Sequence, residues 1–381
     1  MPTHPLSRRQ FASSLGLGIL ARPTPAAAQA PAVSPPAAPA PATGAPSLIG
    51  LDSNENPYGP SPRALAAMTR AQGAAARYPD AKEQQLAEAL ARLHGVAPEQ
   101  IVLGCGSGEI LKMADAAFLG PGKTVLAAEP TFEAVFDYAV ATKAEAIKVP
   151  LAADHRHDLA KMAAACDART GLVYVCNPNN PTGTIVTADE LQAFVARVPR
   201  SAVVLVDEAY HHFVEDPRYR SALDLLPGHD NMMVARTFSK IYGLAGMRLG
   251  YAVGTKEKAA ALRAQQVWSN ANIGVLDAAL EMLAEPGYVE KTRLAMNATK
   301  RWLVEELHKD GRRTIPSEAN FLMFEVGQDV GPLVERFAAK GVKVGRRFPA
   351  LPTHLRISIG TDAETRAFLV VLRELVPARP A

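Results

Sequence analysis

From residue 101 onward, short runs of aliphatic and β-branched residues alternate with longer stretches whose apolar side chains recur every three or four positions. The runs are 101–103, 124–126, 171–176, 202–206, 232–235 and 249–253. Between them, 109–118, 132–142, 159–165 and 189–198 carry helical spacing. A run that is apolar at nearly every position leaves no face for water, so these strands belong in a sheet covered on both sides. The expected fold class is α/β, with a large, mainly parallel sheet domain covered by helices. Ahead of it, 64–77 and 82–93 read as amphipathic helices, preceded by the polar arm Asp52-Ser-Asn-Glu-Asn-Pro-Tyr-Gly-Pro-Ser-Pro62. Beyond about residue 275 the rhythm changes. A largely helical stretch over 277–307 gives way to strands at 320–325, 342–344 and 355–359, with helices near 332–340 and 363–375. This predicts an arm over 47–62, a large domain over 63–275 and a smaller α+β domain over 276–381.

The first 46 residues follow a different pattern. Ser7-Arg-Arg-Gln-Phe11 precedes a run of small and apolar residues over 12–21, and Ala26-Ala-Ala28 offers a small-residue cleavage site. That is the layout of a twin-arginine export signal over 1–28, and it predicts delivery to the periplasm by the twin-arginine machinery. Residues 29–46 are mostly alanine and proline and read as a disordered tether, because they cannot bury enough surface to offset their ordering entropy. Neither the early apolar run nor any later one reaches the length of a stable membrane span. With 41 basic and 38 acidic residues, the net charge of +3 gives no field suited to nucleic acid. Cys105, Cys166 and Cys176 are an odd number without metal-ligand spacing, so at least one stays a free thiol, and they are expected to be packing residues.

Ligands of a covered parallel sheet bind at the carboxyl ends of its strands, and the polar motifs fall there. Lys240 lies between two apolar runs in Ala235-Arg-Thr-Phe-Ser-Lys-Ile-Tyr-Gly-Leu-Ala-Gly-Met-Arg-Leu-Gly-Tyr251, among Thr237, Ser239, three glycines and Arg248. Hydroxyls, a guanidinium and backbone N–H groups suit a phosphate. A lysine so placed can form a Schiff base with a cofactor aldehyde. Gly104-Cys-Gly-Ser-Gly-Glu-Ile110 opens a helix, where Gly106 and Ser107 offer unpaired N–H groups to an anion. No Gly-Lys-Ser/Thr follows, so this is not a nucleoside-triphosphate loop. Glu129-Pro-Thr-Phe132 brings a ring to the same edge, and Asn177-Pro-Asn-Asn-Pro-Thr-Gly183 presents the Asn180 amide from a proline-stiffened turn. Asp207 ends an apolar run, where a carboxylate needs a cation; a protonated heterocyclic nitrogen would serve, and Tyr210 can reach the same ligand. His211 and His212 are adjacent and expected to point apart, which argues against a metal pair; no metal is expected. Arg356, inside the apolar run 355–359, is expected either to bind a carboxylate or to sit in a structural ion pair.

In order, spacing and residue type, these motifs resemble the fold-type I, class I/II pyridoxal-phosphate aminotransferases over residues 50–378, most of all the histidinol-phosphate aminotransferases. The resemblance implies pyridoxal 5'-phosphate as cofactor and small-molecule amino acids and 2-oxo acids as substrates. It makes Lys240 the Schiff-base lysine and proton shuttle and Asp207 the partner of the pyridine nitrogen. Tyr210 and Asn180 would bond the ring hydroxyl oxygen, and Phe132 would stack on the ring. Gly106, Ser107, Ser239 and Arg248 would hold the cofactor phosphate, with Thr237 nearby. Tyr78 would reach the phosphate of the partner subunit, which implies a homodimer. Arg356 would clamp the substrate α-carboxylate, with Asn320 close to it.

Two departures bear on the substrate. The family's tyrosine-proline segment before the Asn-Glu-Asn-Pro arm is replaced here by the alanine/proline tether. The arginine expected after Gly341-Val-Lys-Val344 is replaced by Gly345, with Arg346 and Arg347 beyond it. These departures imply an aminotransferase with a different or broader substrate than histidinol phosphate. A pyridoxal-phosphate lyase, decarboxylase or oxidase on the same scaffold is the alternative. A non-catalytic binding protein is disfavoured, because every catalytic position is filled.

Overall fold

The computed structural model describes residues 48–378 together with Pro36. The expected export signal over 1–28 lies outside the described residues, as does the expected tether apart from Pro36.

The strands are β1 (Ile49–Leu51), β2 (Ile101–Gly104), β3 (Thr124–Glu129), β4 (Glu145–Pro150), β5 (Thr170–Cys176), β6 (Val203–Asp207), β7 (Met232–Thr237), β8 (Gly250–Val253), β9 (Thr314–Ile315), β10 (Phe321–Glu325), β11 (Val342–Val344) and β12 (His354–Ser358). Seven of them form the main sheet in the order β2-β8-β7-β6-β5-β3-β4, parallel throughout except for β8, which is antiparallel to both neighbours. Its central strands are apolar on both faces for a simple reason. Leu172, Tyr174 and Cys176 of β5 enter one core with Ile110, Leu111 and Val125, while Val173 and Val175 enter a second core with Met162, Leu191 and Phe194. Alternate residues therefore meet helices on opposite sides, and no position is left for a polar residue.

Two smaller sheets complete the fold, β1-β11 (parallel) and β12-β10-β9 (antiparallel). A third core runs from Leu86, Leu103 and Phe238 to Phe321, Leu355 and Phe368, so residues on both sides of position 275 share one apolar interior. The helix Lys256–Arg263 and three strands escape the sequence pattern. β4 is a mostly exposed edge strand whose polar residues break any apolar run. β1 and β9 have three and two residues, too few to show a period. The single helical stretch expected over 277–307 is two helices, Ile273–Leu283 and Pro286–Lys309, divided where Pro286 takes the first position of the second.

Candidate active site

The motif-bearing loops converge on one end of the main sheet. β2, β3, β5, β6 and β7 run parallel, so their carboxyl ends lie together, and the antiparallel β8 begins at that same end just after Arg248. They enclose a cavity of about 760 Å³ whose walls include Ser107, Phe132, Asn180, Asp207, Tyr210, Thr237, Ser239, Lys240, Arg248 and Arg356. Ten positions selected in the sequence thus share one space.

One wall is an anion cradle. The helix Ser107–Phe118 starts after Gly106, at φ +79°, with no side-chain cap on its first N–H groups. A Cβ at Gly106 would fall inside the Arg248 guanidinium, and one at Gly250 would collide with the Ser107 backbone nitrogen. Arg248 is itself left-handed (φ +58°) and donates from Nη1 to Ser239 Oγ at 3.2 Å and to the Ala245 carbonyl at 2.9 Å. Thr237 Oγ1 accepts from the Ser239 N–H at 3.0 Å. A guanidinium, two hydroxyls and a helix N-terminus at a glycine-lined approach fit a phosphate group.

Asp207 ends β6, buried. The Tyr174 hydroxyl donates to its Oδ2 at 2.9 Å and the Ala209 N–H to its Oδ1 at 3.0 Å. Burial pushes its carboxyl up to about 6, against the pull of these two donors and of Lys240. Lys240 is half-buried, its Nζ donating to the Ser53 carbonyl at 3.2 Å and lying 5.6 Å from the centroid of the Tyr210 ring. Burial brings its amine down to about 8, and the nearby Arg356 guanidinium acts in the same direction. Tyr210 is buried edge-on to Phe321, and its oxygen accepts from Asn54 Nδ2 at 3.2 Å.

Across the cavity, Arg356 projects from β12, nearly buried. Its Nη1 donates to Asn180 Oδ1 at 2.7 Å and its Nη2 to the Asp52 carbonyl at 2.5 Å. With its Oδ1 turned to Arg356, Asn180 has its Nδ2 free to donate to a ligand. Asn320 does not line the cavity: its Nδ2 donates to the carbonyls of Asn54 and Glu55 at 3.1 and 3.2 Å, tying the arm to β10. Gly345 sits against Arg356, where a Cβ would come within 2.8 Å of the Arg356 carbonyl. Arg346 reaches the cavity instead, pairing with Glu133 at 2.5 Å and lying 4.3 Å from the Phe348 ring centroid. Arg347 turns away to Asp329 at 2.8 Å.

Tyr78 is 86% exposed and outside this chain's own cavity, where a residue that reaches into a partner subunit would lie. The expectation about the histidines changes. His211 and His212 do not diverge: in the turn His211–Phe213 their rings lie 3.7 Å apart, because a helical turn replaces the alternation of an extended chain. Among the described residues no group of three or more His, Cys, Asp or Glu side chains is placed to hold a metal. All three cysteines are free; Cys176 is buried as expected, whereas Cys105 is exposed. Tyr174, Asn54, Ser358 and Glu133 were not singled out from sequence. Tyr174 lies inside an apolar run, and the other three act through partners distant in the chain.

The donor set fits pyridoxal phosphate. A cradle closed to any Cβ would take the phosphate, Asp207 offers a buried carboxylate for a ring cation, and Lys240 offers an amine made more nucleophilic by burial. The comparisons agree. A family model described as aminotransferase class I and II matches residues 46–372. A histidinol-phosphate aminotransferase from Moorella thermoacetica is 40% identical over 336 residues, covering 87% of this chain and 86% of the relative. Among solved structures, histidinol-phosphate aminotransferase from Sinorhizobium meliloti in complex with pyridoxal-5'-phosphate superposes with a TM-score of 0.81 at 28% identity, covering 86% of this chain and 90% of that one. L-threonine-O-3-phosphate decarboxylase from Porphyromonas gingivalis shares the fold, with a TM-score of 0.74 at 20% identity over 86% of this chain and 99% of that one.

Proposed function

This chain belongs to the class I and II aminotransferases, and on that premise we propose that its amino donor is an α-amino acid and its acceptor a 2-oxo acid. Pyridoxal-phosphate-dependent transamination is supported by the family and by both kinds of relative. The observation that carries the choice of substrate is Arg356, a nearly buried guanidinium on the cavity wall, aimed by Asn180 and the Asp52 carbonyl. Such a fork matches a carboxylate in a way a lone ammonium cannot.

Bound pyridoxal phosphate supplies an aldehyde that condenses with amines and a ring that accepts the electrons of a breaking Cα–H bond. Gly106, Ser107, Ser239 and Arg248 would hold its phosphate, with Thr237 bracing Ser239. Asp207 would keep a proton on its ring nitrogen, Tyr210 and Asn180 would donate to its ring oxygen, and Phe132 would cover its face. Lys240 would carry a proton on its Nζ, taking it from the substrate Cα and delivering it on the cofactor side of the bridging nitrogen, for which an amine near neutrality is suited. Arg356 fixes the substrate carboxylate so that the Cα–H bond faces Lys240.

A second reading, histidinol phosphate as donor, is favoured by one observation. Arg346 reaches the cavity although the residue before it is glycine. Side-by-side kcat/KM values for histidinol phosphate and a panel of α-amino acids, with and without 2-oxoglutarate, test the proposal. Preference for an amino acid, with product beyond one equivalent of enzyme only when the oxo acid is present, is expected. Preference for histidinol phosphate would transfer the anion-binding role to Arg346. Product beyond one equivalent without an oxo acid would favour the lyase, decarboxylase or oxidase.

We further infer a homodimer and export. Tyr78 (86% exposed) and a second exposed aromatic, Trp268 (94%), flank in sequence the pair Asp80 and Ser269, whose side chains are joined where the Ser269 hydroxyl donates to Asp80 at 3.0 Å. This surface suits a second copy, into whose cradle Tyr78 would reach. Export rests on Arg8 and Arg9 before the apolar run. Arg8→Lys with Arg9→Lys should leave the full-length chain in the cytoplasm; undiminished periplasmic protein would refute the route.

A further inference from the structure

The arm residue Asn54 is buried, left-handed at φ +55°, and committed through three groups. Its N–H donates to Ser358 Oγ at 2.7 Å, its Oδ1 accepts from the same hydroxyl at 3.2 Å, and its Nδ2 donates to the Tyr210 oxygen at 3.2 Å. The order of donors and acceptors follows from one another. Ser358 Oγ accepts the Asn54 N–H, so its hydrogen needs a separate acceptor. Ser358 is buried, and Asn54 Oδ1 is the acceptor in reach. With Oδ1 engaged, the amide presents Nδ2, a donor only, to the phenol. Tyr210 must then accept on that side and direct its own proton elsewhere. Among the described residues nothing else bonds that hydroxyl, and Tyr210 lines the cavity. A flipped amide would pull the phenol proton toward the arm and leave the buried Ser358 hydrogen without an acceptor, an unfavourable state.

We propose that Asn54 and Ser358 are positioning residues that set the polarity of Tyr210, so that its hydroxyl donates into the cavity rather than accepting from it. This rests on the reading that Tyr210 bonds the cofactor ring oxygen. It explains why asparagine suits position 54: asparagine tolerates a left-handed backbone, and its amide carries both a donor and an acceptor. The arm thereby becomes part of the acid–base apparatus although it bears no group that reacts.

The test uses holoenzyme and the pH midpoint at which the visible band of the bound cofactor changes. A donated hydrogen bond favours the deprotonated ring oxygen, so its loss moves the midpoint upward. Tyr210→Phe should raise it by about one unit, a tenfold change in proton affinity. Ser358→Ala, which adds no charge, should raise it in the same direction, and Ser358→Thr should restore it. Asn54→Asp turns the donor into an acceptor and should match Tyr210→Phe. Combined with Tyr210→Phe, Ser358→Ala should add no further shift; a shift that persists would be a packing effect and would overturn the proposal. An unmoved midpoint in Ser358→Ala and Asn54→Asp, with Tyr210→Phe shifted, overturns it as well. An unmoved midpoint in Tyr210→Phe overturns the placement of Tyr210 and the proposal with it. Should Asn54→Asp fail to fold, Ser358→Ala alone decides, since it leaves the arm residue in place.

Discussion

At the scale of single residues, burial sets the chemistry. Lys240 has lost water around its ammonium and faces Arg356, so its amine stands at about 8 rather than 10.5. The neutral amine is the nucleophile toward an aldehyde. Capture of pyridoxal phosphate by cofactor-free protein should therefore quicken about tenfold per pH unit below 8 and level off above it; a plateau reached only near pH 10 would refute the assignment. Asp207 is displaced the other way, to about 6, and the Tyr174 hydroxyl is the largest of the three groups that limit that rise, ahead of the Ala209 N–H and Lys240. A hydrogen bond to a charged group contributes about 1.5–3 kcal/mol, or roughly one to two pKa units. Tyr174→Phe should raise the Asp207 pKa further. Only the ionised carboxylate attracts a ring cation, so the variant's cofactor affinity should match wild type near pH 8 and fall about tenfold or more behind it near pH 5.5. A ratio of dissociation constants that stays constant with pH would place Tyr174 outside this circuit.

At the scale of elements, the site is assembled by close approaches between segments that each have another structural duty. β8 begins at Gly250 directly against the turn that opens the helix Ser107–Phe118. Gly250→Ala would drive that turn away from Arg248. With overpacking penalties of about 1–3 kcal/mol, cofactor affinity should fall about ten- to hundredfold while the helical content by circular dichroism stays unchanged. β12 and the arm meet at Arg356, whose two contacts lie on Asn180 and the Asp52 carbonyl. A lysine can keep one of these and cannot present a fork to a carboxylate. Arg356→Lys should lower kcat/KM for α-amino acids by about 30- to 1,000-fold, equivalent to roughly 2–4 kcal/mol of lost binding in the transition state. A change below threefold would return Arg356 to a structural role.

At the scale of the whole molecule, this chain's cavity is closed by its own arm but does not include Tyr78. If the partner's copy of Tyr78 completes the cradle, Lys240→Ala and Tyr78→Ala subunits, each weakly active alone, should regain activity when mixed and re-associated, with one competent site per heterodimer. Absence of recovery in a verified heterodimer would refute the shared site. Much of the architecture could be read along the chain. An apolar run buried on both faces has no alternative environment, so β5, β6 and β7 declared the covered sheet. Loops at strand ends are where polar residues survive, so Lys240, Asp207, Asn180 and the Gly106–Ser107 turn declared the cavity. The edge strand β4 and the short β1 could not be read, because edge pairing needs no apolar period and three residues show none. Nor could the chain show that Asn54 bonds Tyr210, that Tyr174 restrains Asp207, or that Arg346 faces the cavity while Arg347 faces Asp329. Those outcomes depend on donors and acceptors from 18 to 213 residues apart coming within 3.2 Å, with a direction fixed by the hydrogens left unpaired. Residue type and spacing determine which groups seek a partner; only packing decides which partner each one meets.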